Sequence, residues 1–226
     1  MDVWREFSQH VTVMIGDLDH LNQLETVGNA QMYLTDSTTL EGVPTLHSID
    51  RVITSPPYPN RYSYIWNTRP YLYLFGLFQT AKQASAIDLK TIGGTWGTAT
   101  SILLKGKIAP AFPIVQDVVA PVVEQIRAKD NLMANYLMKY FNLLALQIVK
   151  QHALLAPDAK LAYVVGCSRL RGEYVATDLL LAKVFEGLDL GYRVTNVTRF
   201  RKRHSDKDLH ESIVFVERGP INGPVS

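Results

Sequence analysis

The pattern of apolar residues predicts an α/β fold, a mostly parallel sheet flanked by helices and closed by a C-terminal antiparallel hairpin. Three observations carry this reading. Short strand-like runs at 49–53 and 161–165 alternate with helical stripes at 115–126, 132–155 and 177–188, the order expected of parallel strands joined by helices. The last two strand-like runs, Tyr192–Phe200 and Ser212–Glu217, are separated only by the charged stretch RKRHSDKDLHE, so they pair as a hairpin. With 226 residues, 47% of them hydrophobic, and a mean hydropathy near zero, the chain fits one domain with a sizeable core.

Trp4, Phe7, Val11, Met14, Leu18 and Leu21 recur at steps of three and four, which predicts an amphipathic helix over 3–25. The β-branched run Val11–Ile15 also admits a strand. Ala30–Leu34 reads as a short strand ending at Thr35-Asp36, and Ile49–Ile53 as the next. The aromatic-rich residues 59–80 begin as a loop, because Pro59 and Pro70 interrupt regular structure. Residues 81–112 hold Gly93-Gly94-Thr95-Trp96-Gly97 and Pro110 and read as irregular. The span of about 81–130 is expected to be a surface insertion. Val115–Ile126 predicts a helix. Asp130-Asn131 can cap a longer one carrying Leu132, Tyr136, Tyr140, Leu143, Leu144, Ile148 and Leu155, with Pro157 beyond its end. Leu161–Val165 is a buried-strand candidate, and Thr177–Leu188 a helix with Gly191 past its end. The domain is expected to run from 1 to 218, with 219–226 as a flexible tail.

Composition narrows the function classes. No apolar run reaches the ~18 residues a membrane span needs, and the N-terminus MDVWREFSQH lacks a signal-peptide layout. The single cysteine, Cys167, excludes an internal disulfide, suits a reducing cytosol, and reads as a small buried residue. Six scattered His offer no metal-ligand spacing with it. The expectation is a cytoplasmic protein without a membrane anchor or a metal. The formal net charge of +2 neither demands nor excludes nucleic acid.

The most informative segment is Thr54-Ser55-Pro56-Pro57-Tyr58, which follows the apolar Val52-Ile53. An exocyclic amine on a nucleobase is a poor nucleophile because its lone pair is delocalised into the ring. Acceptors aimed at its hydrogens draw the nitrogen toward sp3 character and free the lone pair for an electrophilic methyl. Ser55 offers one acceptor oxygen and the Pro56 carbonyl a second. Prolines fix φ and donate no hydrogen bond, so the acceptors stay preorganised. Tyr58 can stack on a base extruded from a duplex. Taken by itself, the segment is equally a rigid turn.

Residues Asp50–Asn60, DRVITSPPYPN, resemble motif IV of the amino-methylating DNA methyltransferases, and Ser in first place is most similar to the N4-cytosine branch. Ala30–Leu40, AQMYLTDSTTL, looks like motif III, where Asp36 would meet the cofactor adenine. Its other reading is a turn Asp capping the next element. Leu161–Gly172 is similar to motif VI, and Leu209–Val216 to the closing hairpin. The resemblance implies a partial Rossmann-like class I methyltransferase sheet that uses S-adenosylmethionine on double-stranded DNA. It places Ser55, Pro56, Pro57 and Tyr58 in catalysis, and Asp36, Thr54 and Ser55 toward the cofactor. Adenine N6 is the near alternative target. RNA or protein methylation, or a subunit whose fold outlived its chemistry, are further ones.

No glycine-rich cofactor loop precedes motif IV. VVGCSRLRG is not followed by a strand ending in an acid, since the next one ends Thr198-Arg199-Phe200-Arg201. Gly93–Gly97 lacks a preceding apolar strand. Gly166 and Gly172 therefore read as turn glycines. The resemblance then implies an unpaired edge on the motif IV strand and a second polypeptide that carries the glycine-rich loop. Two segments mix cations with stacking surfaces or cluster them, and are candidates for DNA contact. They are Arg61, Tyr62, Tyr64, Trp66 and Arg69, and then Arg201, Lys202 and Arg203. A packed aromatic loop and a solvated hairpin turn are their plainer readings.

Overall fold

The computed structural model describes residues 2–24, 28–44, 47–60, 62–94, 98–106, 111–203 and 206–219. The chain divides into two compact units, Met1–Leu34 and Thr35–Ser226, where the sequence reads as one domain. In the first, helix α1 (Val3–Asn22) begins at Asp2, whose side chain accepts from the Trp4 and Arg5 backbone N–H groups. No residue of α1 is buried. The strand expected at Ala30–Leu34 is not there: residues 28–34 carry no regular structure, and Met32 and Leu34 are fully exposed. An isolated extended segment has no ladder to satisfy its backbone groups.

The second unit holds a four-stranded sheet with the order β1-β2-β6-β5. Its strands are β1 (Ile49–Thr54), β2 (Leu155–Gly166), β5 (Tyr192–Arg203) and β6 (Asp206–Arg218). β1 and β2 pair in parallel, with Thr54 opposite Tyr163. β6 lies antiparallel between β2 and β5. The sheet is therefore mixed rather than mostly parallel. Three strands run one way, but the tight β5–β6 connection forces an antiparallel neighbour, and that neighbour is inserted between the other two. A small hairpin, β3 (Ser168–Leu170) and β4 (Glu173–Val175), follows β2. It turns through Arg171 (φ 54°) and Gly172 (φ 86°), the left-handed pair that a two-residue hairpin needs.

Three helices form the core against one sheet face: α5 (Pro113–Arg127), α6 (Asn131–His152) and α7 (Thr177–Gly187). Asp130 caps α6 through a bond from the Met133 N–H, as expected. Leu161, Tyr163, Val165, Val214 and Val216 are buried on this face. Ala162, Val164, Ile213 and Phe215, which alternate with them, are only half-buried.

Two loop expectations are corrected. Tyr64–Leu74 is helix α2, with Pro70 inside it. Ser63 caps it by accepting from the Trp66 N–H, and the Ser63 hydroxyl donates to buried Asp88 at 2.5 Å, so the first turn is anchored and Pro70 removes a single ladder bond. The supposed surface insertion contains α3 (Ala81–Lys90), α4 (Thr98–Leu104) and α5, and contributes Ile92, Leu103, Val115, Val119, Val123 and Ile126 to the core. α3 opens on a Thr80/Gln83 capping box. Among the described residues, no helix is long and apolar enough to cross a membrane.

Candidate functional site

Ser55–Tyr58 leaves the C-terminal end of β1, an edge strand with no partner on its outer side among the described residues. Ser55 is exposed, while Pro56, Pro57 and Tyr58 are half-buried. Among the described residues the Ser55 hydroxyl has no hydrogen-bond partner, and nothing donates to the Pro56 carbonyl. The Pro57 carbonyl, in contrast, accepts from the Tyr140 hydroxyl of α6 at 2.8 Å. Burial pushes the Tyr140 phenol well above its ordinary range, so it remains a neutral donor. The arrangement clamps the segment at Pro57, and among the described residues leaves the two expected acceptors without a donor.

Glycines hold it from two other sides. Gly93 has φ 89°, and a Cβ there would sit 3.6 Å from the Tyr136 hydroxyl, 3.8 Å from Pro57 and 3.9 Å from the Tyr58 carbonyl. The Tyr58 ring lies on Gly166, where a Cβ would be 2.6 Å from Cδ2 and 2.7 Å from Cε2. Gly166 is thus the last residue of β2, kept bare for an aromatic ring, and not the turn glycine expected. Gly172 is one. Beside Gly93, the Lys139 ammonium donates to the Leu89 and Gly94 carbonyls at 2.9 and 3.1 Å. Burial lowers its pKa, opposed by Asp88.

Thr54 ends β1, half-buried. Asp36 is exposed, and its carboxylate accepts from the Thr38 N–H and hydroxyl at 2.8 and 2.7 Å. It caps the 36–40 turn, and among the described residues no hydrogen bond or ion pair joins it to Ser55–Tyr58. Tyr62, Tyr64 and Trp66 are each about half exposed at the start of α2. Tyr62 and Tyr64 meet edge to face at 5.0 Å, and the Arg69 guanidinium lies 4.1 Å over the Trp66 ring. Arg61 lies outside the described residues, as do the side chains of Lys202 and Arg203. Arg201 is exposed in β5.

The fold also gathers a cluster that spacing did not reveal. Cys167, Asp178 and His210 present ligand atoms within 4.8 Å of one another, all buried. Asp178 is the hub, accepting from the Leu179 N–H at 2.9 Å, Ser212 at 2.8 Å and the Cys167 thiol at 3.3 Å, with His210 Nε2 at 3.2 Å. Burial raises its pKa, but bonds from Ser212 and Leu179 outweigh that and leave the carboxyl below its ordinary value. Burial also raises the Cys167 thiol. With both carboxylate oxygens already engaged, the cluster acts as a buried hydrogen-bond hub that ties α7 to β6.

A surface that takes in Arg201, one of the expected DNA contacts, lies nearby. Arg169, Tyr174, Arg199, Phe200, Arg201 and His210, with Asp208, line a groove of about 760 Å³. Compared with known proteins, the chain matches no family model, no curated protein and no solved structure.

Proposed function

We propose that this chain is the part of a site-specific DNA methyltransferase that holds the target amine, cytosine N4. Ser55 and the Pro56 carbonyl accept the two amino hydrogens. The nitrogen lone pair attacks the methyl carbon of S-adenosylmethionine, the carbon–sulfur bond breaks, S-adenosylhomocysteine leaves, and the surplus amino proton passes to solvent. The observation that carries this reading is the Ser-Pro-Pro-Tyr segment at a strand's C-terminal end. It is braced by Tyr140 and Gly166, Ser55 is exposed, and exposed aromatics follow directly on α2.

The cofactor loop is supplied by polypeptide outside these 226 residues. Two features support that. The strand bearing such a loop would stand beside the motif IV strand in the family sheet, and among the described residues β1 has no partner on that edge. Ile53, 85% exposed, lies in register with half-buried Ala162 and Phe215, an apolar row on the sheet face opposite the helical core.

The test is transfer of labelled methyl from S-adenosylmethionine to DNA by this chain with its companion polypeptide, followed by nucleoside analysis. N4-methylcytosine is the expected product, and N6-methyladenine would move the assignment to adenine. Ser55→Ala should lower the transfer rate about 10²-fold with the fold intact. Full activity in a folded variant would refute the clamp.

A further inference from the structure

We infer that the groove between the β3–β4 hairpin and the β5–β6 ladder is a nucleic-acid backbone site. In it Arg199 and Arg201 meet phosphates, and Phe200 and Tyr174 lie against the sugars and bases between them. The inference deepens the proposed function and rests on it in one respect, that the strand held here is the one that carries the target base.

Backbone geometry is the first support. Successive side chains of a regular strand point to opposite faces, yet Arg199, Phe200 and Arg201 all line this one groove. The β5–β6 ladder explains how. Arg199 pairs with Ser212 and Arg201 with Glu211, so Phe200 is an extra residue without a partner. Such a bulge re-aims the neighbouring side chains and commonly does so beside functional sites. Phe200 is 53% exposed, an aromatic ring presented to solvent between two guanidiniums.

Charge is the second support. Arg169 is committed, since its guanidinium donates to Asp206 and Asp208, each at 2.6 Å. Arg199 and Arg201 form only longer ion pairs. Arg199 Nε lies 3.6 Å from Asp178, and Arg201 Nη1 lies 3.7 Å from Glu211, both beyond hydrogen-bond length. Asp178 already takes its hydrogen bonds from Ser212, Leu179 and Cys167. Two arginines held only by longer ion pairs, beside an exposed ring, form the mixture that tracks a nucleic-acid strand.

Location is the third. β1, β2 and β5 run in the same direction, so their C-terminal ends lie at one end of the sheet. That end bears both the Ser55–Tyr58 segment and the groove. Tyr58 packs on Gly166, and the chain passes from Gly166 through Cys167 to Arg169 at the groove wall.

The experiment is fluorescence anisotropy of a labelled mixed-sequence DNA duplex titrated with the full chain, over roughly 0.05–0.2 M salt. Arg201→Gln should weaken binding about tenfold and reduce the slope of log K against log salt by about 1. Arg199→Gln should do the same, with far-ultraviolet circular dichroism to check folding. Phe200→Ala should weaken binding several-fold without changing the slope. Arg193→Gln, at the other end of β5 and paired to Glu217, should change neither. An unchanged affinity and slope in folded Arg201→Gln would overturn the inference. So would competition by a free nucleoside monophosphate as effective as the duplex. The two proposals fail separately. Loss of binding in the arginine variants without any methyl transfer by the wild-type pair would sink the enzyme reading alone. Active transfer with unchanged binding would sink the groove alone.

Discussion

Replacing Gly166 with Ala puts the contact between Tyr58 and the end of β2 to a direct test. The added Cβ would stand 2.6 Å from Tyr58 Cδ2 and 2.7 Å from Cε2. Carbon atoms are comfortable at about 3.5–4.0 Å, so the ring must retreat by about 1 Å. Pro57 and the segment behind it are held by Tyr140, which limits how the chain can yield. Overpacking of this kind costs about 1–3 kcal/mol. Tyr58→Ala alone loses the ring's packing, and the double variant places the new methyl in the space the ring vacates. The double should therefore be more stable than the sum of the singles predicts, by about 1–2 kcal/mol. Urea denaturation of the four proteins measures that coupling. In the transfer assay, a displacement of about 1 Å in the stacking ring should cost Gly166→Ala up to about 10²-fold. Strict additivity, with Gly166→Ala as stable as the parent, would show that the ring does not rest on Gly166.

Other consequences can be checked with the same preparations. Tyr140→Phe should cost about 1–2 kcal/mol by leaving the Pro57 carbonyl unpaired, and should slow transfer as the segment loosens; a neutral change in both would free Pro57 from that bond. Asp178→Ala should destabilise by about 3–5 kcal/mol, because the Ser212 hydroxyl, the Cys167 thiol and the Leu179 N–H all lose their acceptor. The folded Asp178 carboxyl titrates below its ordinary 3.8, so the unfolded chain binds the proton first. Its stabilisation is then complete above pH 3.8 and falls away as the pH drops through the lower folded value. Denaturation midpoints of the parent and Asp178→Asn should therefore converge in acid, and parallel curves would refute the assignment. Ile53→Lys, on the open edge, should leave the chain's own unfolding free energy within about 0.5 kcal/mol but abolish assembly with a companion strand, measured by analytical ultracentrifugation.

Periodicity made much of this fold legible. The stripes of α5, α6 and α7 and the apolar runs of β2, β5 and β6 overlap the expected spans, because each buries one face against the same core. But Leu155 and Pro157, expected in and just past the long helix, belong to β2, and β6 begins at Asp206, inside the stretch expected as a connection. The misreadings share a cause, that tertiary contacts overrode local signals. Pro70 argued for a loop, but Ser63 capping and its bond to Asp88 anchor a helix around it. The Gly93-Gly94 turn suggested an exposed insertion, yet it packs on Pro57 and accepts from Lys139. Ala30–Leu34 has the composition of a strand and no neighbour to pair with. At the site, Ser55–Tyr58 was visible as a motif, whereas Tyr140 was only one member of a helical stripe. Nothing in its spacing marked it as the donor to Pro57. The bulge at Phe200 is equally invisible in sequence, because it depends on register across two strands.

The sheet explains why so much of the chemistry gathers at one end. An antiparallel β6 between two co-directional strands lets β2 and β5 both finish on the same side, with the β6 N-terminus between them. The rigid segment after β1, the bare Gly166 at the end of β2 and the arginine bulge of β5 therefore lie at the same end of the sheet through topology. The sequence order keeps them far apart, at about residues 55, 166 and 200. Among the described residues, β1's outer edge has no partner strand, and exposed Ile53 lies in register with half-buried Ala162 and Phe215. An edge left bare beside a preorganised segment is a liability unless another strand uses it. The two halves of the proposal therefore depend on one feature. A strand docked on β1 would bring its own C-terminal end, and any glycine-rich loop that follows it, to the same side of the sheet as Ser55.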